Sequence, residues 1–146
     1  GANLEGDDLT RAHLEGAILT GADLTRAHLE GANLTGANLE DADLYNVDLE
    51  DAKLRGTDLR GTDLRWADLT GTDLRGANLK DAKLTYAELA GADLSGADLR
   101  SAVLRSAVLS GANLSGADLT GADLYNAFLS NIKHDKDTIW PKGFTP

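Results

Sequence analysis

Residues 21–40 read GADLT RAHLE GANLT GANLE. Leucine stands fourth in every group of five, at Leu24, Leu29, Leu34 and Leu39. Followed outward in both directions, the spacing holds without exception from Leu4 to Leu129, 26 leucines in succession. Neither a helix at 3.6 residues per turn nor a strand of period 2 keeps every fifth residue on one face. A period of five does so when each unit is a short extended piece followed by a corner. Fixed self-similarity of this kind sets the architecture before any other signal is weighed.

Taking leucine as position i, position i−2 is Ala in 21 of the 26 units, the exceptions being Asp7, Val47, Thr57, Thr62 and Thr72. In extended chain, i and i−2 point to the same side, so leucine and a small partner face inward. Position i−1 is mostly Asp or Asn, as at Asn3, Asp23, Asp43, Asp63 and Asp98. Position i+1 is mainly Thr, Glu, Arg, Lys or Ser, with Tyr at Tyr45 and Tyr125, and position i+2 is Gly more often than any other residue. Gly, Asn and Asp tolerate the backbone angles of turns, which puts the corner around i+2.

Units such as Ala22-Asp23-Leu24, Ala32-Asn33-Leu34 and Ala117-Asp118-Leu119 resemble the pentapeptide-repeat family, whose motif is A(D/N)LXX. The resemblance covers residues 2 to about 130. It implies an all-β chain, a right-handed quadrilateral β-helix with four units per coil. The 26 units then make about 6.5 coils, a rod roughly 31 Å long at one strand spacing per coil. Residues 1–130 are expected to form the β-helix and residues 131–146 a short irregular C-terminal cap. The ending Thr138-Ile139-Trp140-Pro141-Lys142-Gly143-Phe144-Thr145-Pro146 is similar to those of cyanobacterial and chloroplast members.

A chain of 146 residues is one domain, and a solenoid buries its core by stacking repeats rather than by globular volume. There is no Cys, which excludes disulfides, thiol nucleophiles and cysteine metal sites. No apolar run is long enough to cross a membrane. The expectation is a soluble protein without membrane insertion, cytoplasmic, or lumenal or periplasmic where an upstream signal has been removed. The net charge of −10 is uneven: residues 1–50 carry 11 acids and 2 bases, residues 51–100 carry 9 and 8, and residues 101–146 carry 4 and 4. An acidic end argues against direct nucleic-acid binding, which needs basic neutralisation of phosphates. It suits a basic partner, or solubility alone.

Departures from the repeat are where function is sought. Asp7, an inward position, is expected near an open end where its carboxylate reaches water. The stretch Arg-Ala-His-Leu-Glu-Gly-Ala occurs at 11–17 and again at 26–32. An offset of 15 rather than 20 places His13 and His28 on different faces. Neither has a second His or Cys in its column, so no metal site is expected. Thr57, Thr62 and Thr72 put hydroxyls inside the coil, where each needs a carbonyl or water. Arg60, Lys80 and Arg100 share a column, more simply neutralised by neighbouring Asp than assembled for an anion. Asp23, Asp43 and Asp63 form a carboxylate ladder. No Ser has a His in register and no loop insertion builds a cavity, so neither catalysis nor a cofactor is expected.

Wound at 20 residues per coil, Tyr45, Arg65, Trp66, Tyr86, Arg105 and Tyr125 fall on one face. Aromatics with Arg are the usual composition of a binding hot spot; cross-coil stacking that merely stabilises the solenoid is the alternative. Val103, Val108 and Phe128 suggest an apolar strip toward the C-terminal end. After Leu129 the repeat fails, with His134 where the next leucine is due. Ile139, Trp140 and Phe144 are expected to cover the last coil, over Leu124 and Leu129 or against Val108 and Phe128.

These readings converge on a non-enzymatic protein-interaction scaffold, a monomer or weak homodimer, with the aromatic face turned to a protein partner. The alternative is DNA mimicry toward DNA gyrase, as in the quinolone-resistance branch of the family. Three departures weaken it: every i position is Leu where that branch often has Phe, no projecting loop interrupts the repeat, and Pro141, Gly143 and Pro146 oppose a dimerising C-terminal helix.

Overall fold

A computed structural model describes all 146 residues. Parallel bridges join Asn3 to Asp23, Asp23 to Asp43 and Asp43 to Asp63, and the same 20-residue offset runs through to Asn113 and Lys133. One coil is therefore four pentapeptides, each face holding one column of units. The pairing stays as isolated bridges, because each unit turns a corner before a longer strand can form.

The corner is a turn of four residues closed by a backbone bond, such as Ala22 N–H to Leu19 C=O at 3.0 Å. Its third residue, i+2, has positive φ in every unit from Gly6 to Asn131. Positive φ at that position alone defines a type II turn. Where Gly is replaced, the substitutes are mostly Asp, Asn or Ser, but Trp66 at φ 63° and Tyr86 at φ 62° also occupy it.

Each unit has five amide N–H groups. The i−2 amide closes the turn. The i−1 amide bonds the preceding coil, as Asp43 to Ala22 C=O at 2.9 Å, while the i and i+2 amides bond the following one, as Leu24 to Asp43 C=O at 2.7 Å and Arg26 to Tyr45 C=O at 3.0 Å. The i+1 amide has no backbone partner. Wherever i−1 is Asp or Asn, its Oδ1 accepts this orphan, as in Glu40 N–H to Asn38 at 2.9 Å and Thr70 N–H to Asp68 at 2.9 Å. The Asp/Asn preference at i−1 is thus an Asx cap on the following corner, a role beyond the outward polarity that the sequence displays.

The core is a leucine–alanine column, fully buried from Leu24 to Leu119. Leu4, Leu9, Leu14 and Leu19 are only partly buried in the first coil, and Asp7 there is exposed, as its charge requires. The inward hydroxyls find carbonyls: Thr57 donates to Leu34 at 2.9 Å, Thr62 to Leu59 at 2.7 Å and Thr72 to Leu69 at 2.7 Å. No helix is long and apolar enough to cross a membrane.

At the C-terminal end the pairing outlasts the motif. Lys133 still bridges Asn113, and then Ile139 bridges Asp118, an offset of 21. One extra residue is accommodated between them. Asp135 absorbs it: its Oδ1 accepts the Gly116 amide at 3.0 Å, a place taken by a backbone carbonyl in earlier coils, and also the Asp137 and Thr138 amides. Thr138 then sits inward and donates to Leu114 C=O at 2.9 Å, reproducing the bond of Thr57. This register corrects the expected cap. Ile139 takes the outward i−1 position and is exposed, whereas Trp140 falls where leucine is due, over Leu119. Trp140 and Phe144 pack on the core with ring centroids 5.2 Å apart. Val108 and Phe128 are bridge partners, so the apolar strip exists, with Val108 half-buried and Phe128 exposed.

Two outcomes test these assignments. Asn38→Ala removes only a corner cap and should cost about 1 kcal/mol, Asn38→Asp should cost little, and Leu64→Ala should cost about 2–5 kcal/mol; urea unfolding of the three variants ranks them. Amide donation from Gly116, chief among its contacts, holds the Asp135 carboxyl below its usual range. Its contribution is present above the unfolded carboxylate pKa and is lost as pH falls through the lower folded value. Asp135→Ala at neutral pH, and acidification of the parent below about pH 4, should both loosen the tail. Faster tryptic cleavage after Lys136 in Asp135→Ala, and faster amide exchange at Gly116 and Thr138 in the acidified parent, are the readouts.

Candidate functional site

The face carrying Tyr45, Arg65, Trp66, Tyr86, Arg105 and Tyr125 is built from one column of units, with leucines at 44, 64, 84, 104 and 124 beneath it. The six residues form three pairs. Trp66 stacks on Tyr86 with centroids 4.4 Å apart and ring planes 23° apart. The Arg65 guanidinium lies over the Tyr45 ring at 5.6 Å, and that of Arg105 over Tyr125 at 5.8 Å. Each Arg is also held by a carboxylate: Arg65 Nε donates to Asp63 at 2.8 Å, and Arg105 Nε to Asp123. Thr85 separates the two Arg–Tyr pairs in the i+1 column. All four rings remain substantially exposed, from 38% at Tyr45 to 66% at Tyr125, so the face presents aromatic area to solvent rather than burying it.

The central pair sits where the backbone resists it. A bulky residue in the left-handed region costs about 1–2 kcal/mol, and Trp66 and Tyr86 are the two aromatic residues that occupy it here, alongside the long side chains of Arg11 and Arg26. Their coil-to-coil amide bonds, 3.2 Å and 3.1 Å, are the longest of their column type, which otherwise runs from 2.8 to 3.0 Å. A stacked aromatic pair returns about 0.5–1.5 kcal/mol. Each ring also buries about half its area, a separate apolar gain, so the favourable contributions and the strain are of the same order.

Elsewhere the surface is a set of ion pairs. Arg60 binds Asp58 and Glu40, and Arg75 and Arg100 bind Asp73 and Asp98. The guanidinium two residues on holds the carboxyls of Asp58, Asp73 and Asp98 below the usual carboxylate range. The column of Arg60, Lys80 and Arg100 is correspondingly committed to carboxylates at Arg60 and Arg100. Asp23, Asp43 and Asp63 lie in consecutive coils, and each caps its own corner.

The histidine copies lie on different faces, as the offset of 15 requires. Counting His and Cys within one column nevertheless overlooked a mixed set: His28, Glu30 and Asp48 bring possible ligand atoms within 4.8 Å of one another. Its signal in the sequence is a His at i−1, a Glu at i+1 and an Asp 20 residues beyond the His.

A leucine-laddered solenoid of five-residue units with exposed side-chain columns defines a β-helical repeat protein. The pentapeptide-repeats profile matches residues 1–36, 22–61, 62–100 and 97–133, with eight copies, and the chain belongs to the pentapeptide-repeat family. Similar solved structures include HetL, a pentapeptide repeat protein involved in heterocyst differentiation regulation from the cyanobacterium Nostoc sp. strain PCC 7120. It is 41% identical over 90% of this chain and 63% of HetL, with a TM-score of 0.52. A pentapeptide repeat protein of the Arabidopsis thaliana thylakoid lumen is 29% identical over 82% of this chain and 69% of its own, with a TM-score of 0.62. QnrB1, a plasmid-mediated fluoroquinolone resistance protein, shares the fold at 22% identity and a TM-score of 0.65, over 88% and 77% of the two chains. The chain thus spans about 63% of the length of HetL. No curated protein sequence matches it.

If strain is offset by stacking together with the ring area buried, Trp66→Gly with Tyr86→Gly should leave unfolding stability within about 1 kcal/mol of the parent. A loss well beyond that in urea melts would return the pair to a purely structural role.

Proposed function

We propose that the chain is a non-enzymatic interaction scaffold, a right-handed square rod of about 6.5 coils that docks a protein partner through its aromatic face. The observation that carries this reading is the placement of Trp66 and Tyr86, two stacked and substantially exposed rings held at left-handed corners on one face with two Arg–Tyr pairs. Backbone strain concentrates at functional positions, and rigid aromatics flanked by Arg are preferred anchors of protein interfaces. Arg65 and Arg105, each held by a carboxylate and a ring, extend the surface over several coils without the entropy cost of ordering free side chains.

DNA mimicry toward gyrase draws on the acidic columns and on the fold shared with QnrB1. It is the weaker reading, because Asp58, Asp63, Asp73 and Asp98 each carry an Arg partner two residues on. Mid-rod, the surface presents paired charges rather than an unbroken run of negative ones.

The deciding experiment is capture from a cyanobacterial lysate with the intact chain beside Trp66→Ser/Tyr86→Ser. A partner retained by the intact chain and lost by the variant is the expected result. Equal capture by both proteins removes the face from consideration. In a gyrase supercoiling assay the protein should have no effect even at high concentration; inhibition would bring the mimicry reading forward.

A further inference from the structure

We propose that His28, Glu30 and Asp48 form a binding site for a divalent transition-metal ion. The site lies around the corner from the docking face, with Trp66 at the edge they share.

Register assembles the three groups. His28 at i−1 and Glu30 at i+1 flank the inward Leu29, so both project outward from the same unit. Asp48 is the bridge partner of His28 in the next coil. The His28 Nδ1 and Glu30 Oε1 atoms are 3.3 Å apart, the separation two ligands adopt on a tetrahedral ion at about 2.0–2.1 Å from each. Asp48 uses Oδ1 to cap the Glu50 amide at 3.1 Å, which fixes the carboxylate and leaves its second oxygen available. Ligands oriented by such outer contacts bind metal better than free ones.

The charge around the set favours a cation. Asp48 is followed in its column by Asp68, so a further carboxylate stands one coil beyond the set. Of the two nearby cations, Arg26 is engaged with Glu5 at 2.8 Å, and Arg11 borders Glu30 on the side away from Asp48. His28 and Asp48 line a groove of about 300 Å³ with Asp68, Arg26 and Trp66, while Glu30 borders the neighbouring groove, so water can reach the set from both sides.

The molecule contains its own control. His13 and Glu15 belong to the duplicated heptapeptide and show the same 3.3 Å contact. One coil on, however, stands Asn33, whose amide nitrogen donates to Glu15 at 2.6 Å. That copy has no third anionic ligand and turns a donor toward the position an ion would take. One imidazole nitrogen with two carboxylates suits zinc, cobalt or nickel better than calcium or magnesium, which take oxygen ligands.

The test is calorimetric titration of the untagged, chelator-treated chain with zinc chloride. Saturable binding of one ion is expected, weakened at least about tenfold by His28→Gln and by Asp48→Asn, and unchanged by His13→Gln. Asp48→Asn keeps an oxygen to cap Glu50 while removing a charge, so its metal-free melting temperature should equal or exceed the parent's. That comparison separates a lost ligand from a lost fold. Absence of saturable zinc binding overturns the proposal, as does equal weakening by His13→Gln. Calcium binding as tight as zinc and indifferent to His28→Gln would reduce the site to a generic acidic patch.

Discussion

Every backbone amide in a buried or tightly stacked chain must have a destination, and in this rod one recurring scheme serves four amides of a unit by backbone alone and the fifth in the 17 of 26 units that carry Asp or Asn at i−1. Three amides reach adjacent coils, one closes the turn, and the fifth depends on the side chain at i−1. The leucine ladder supplies the apolar burial, but the amide scheme makes the ladder repeat. An inward methyl or hydroxyl is accommodated, as at Val47 and Thr62. An unpaired amide at each corner would accumulate along the whole rod.

Because core and backbone obey one rule throughout, individuality is confined to outward columns and to breaks in the rule. The strained aromatic pair is one such break. The mixed His–carboxylate cluster is another, formed because side chains from successive coils stand in fixed alignment. In a globular fold such groups would be gathered by loops. Here they are gathered by arithmetic, with neighbours at 2 and 20 residues, on a support whose spacing the hydrogen bonds set.

The same arithmetic explains what the sequence revealed and what it concealed. Leu4 to Leu129 leave no freedom in phase, so the inward positions and the corners could be read directly, whereas the convergence of Tyr45, Trp66, Tyr86 and Tyr125 needed the four-unit coil that the family resemblance implies. The Asx caps were not legible as caps, because an outward Asp looks the same whether it serves solvent or the next amide. The tail misled at Ile139 because a single extra residue, absorbed by Asp135, reverses inside and outside, and composition carries no trace of such a slip. The cluster at His28 was missed because unlike residues from different positions compose it, whereas a column search compares like with like.

The two copies of Arg-Ala-His-Leu-Glu-Gly-Ala carry a wider lesson about descent. Gain or loss of one pentapeptide leaves every leucine over a leucine and the backbone bonds between coils in register, so folding does not select against it. It nevertheless turns the whole of the rod beyond the change by a quarter of a coil relative to what lies before. Motifs are dealt to new faces and meet new neighbours: beside one copy an asparagine, beside the other an aspartate. Ordinary proteins acquire new surface combinations one substitution at a time. A lineage built on this plan reshuffles entire columns in a single replication error, with the interior indifferent to the outcome.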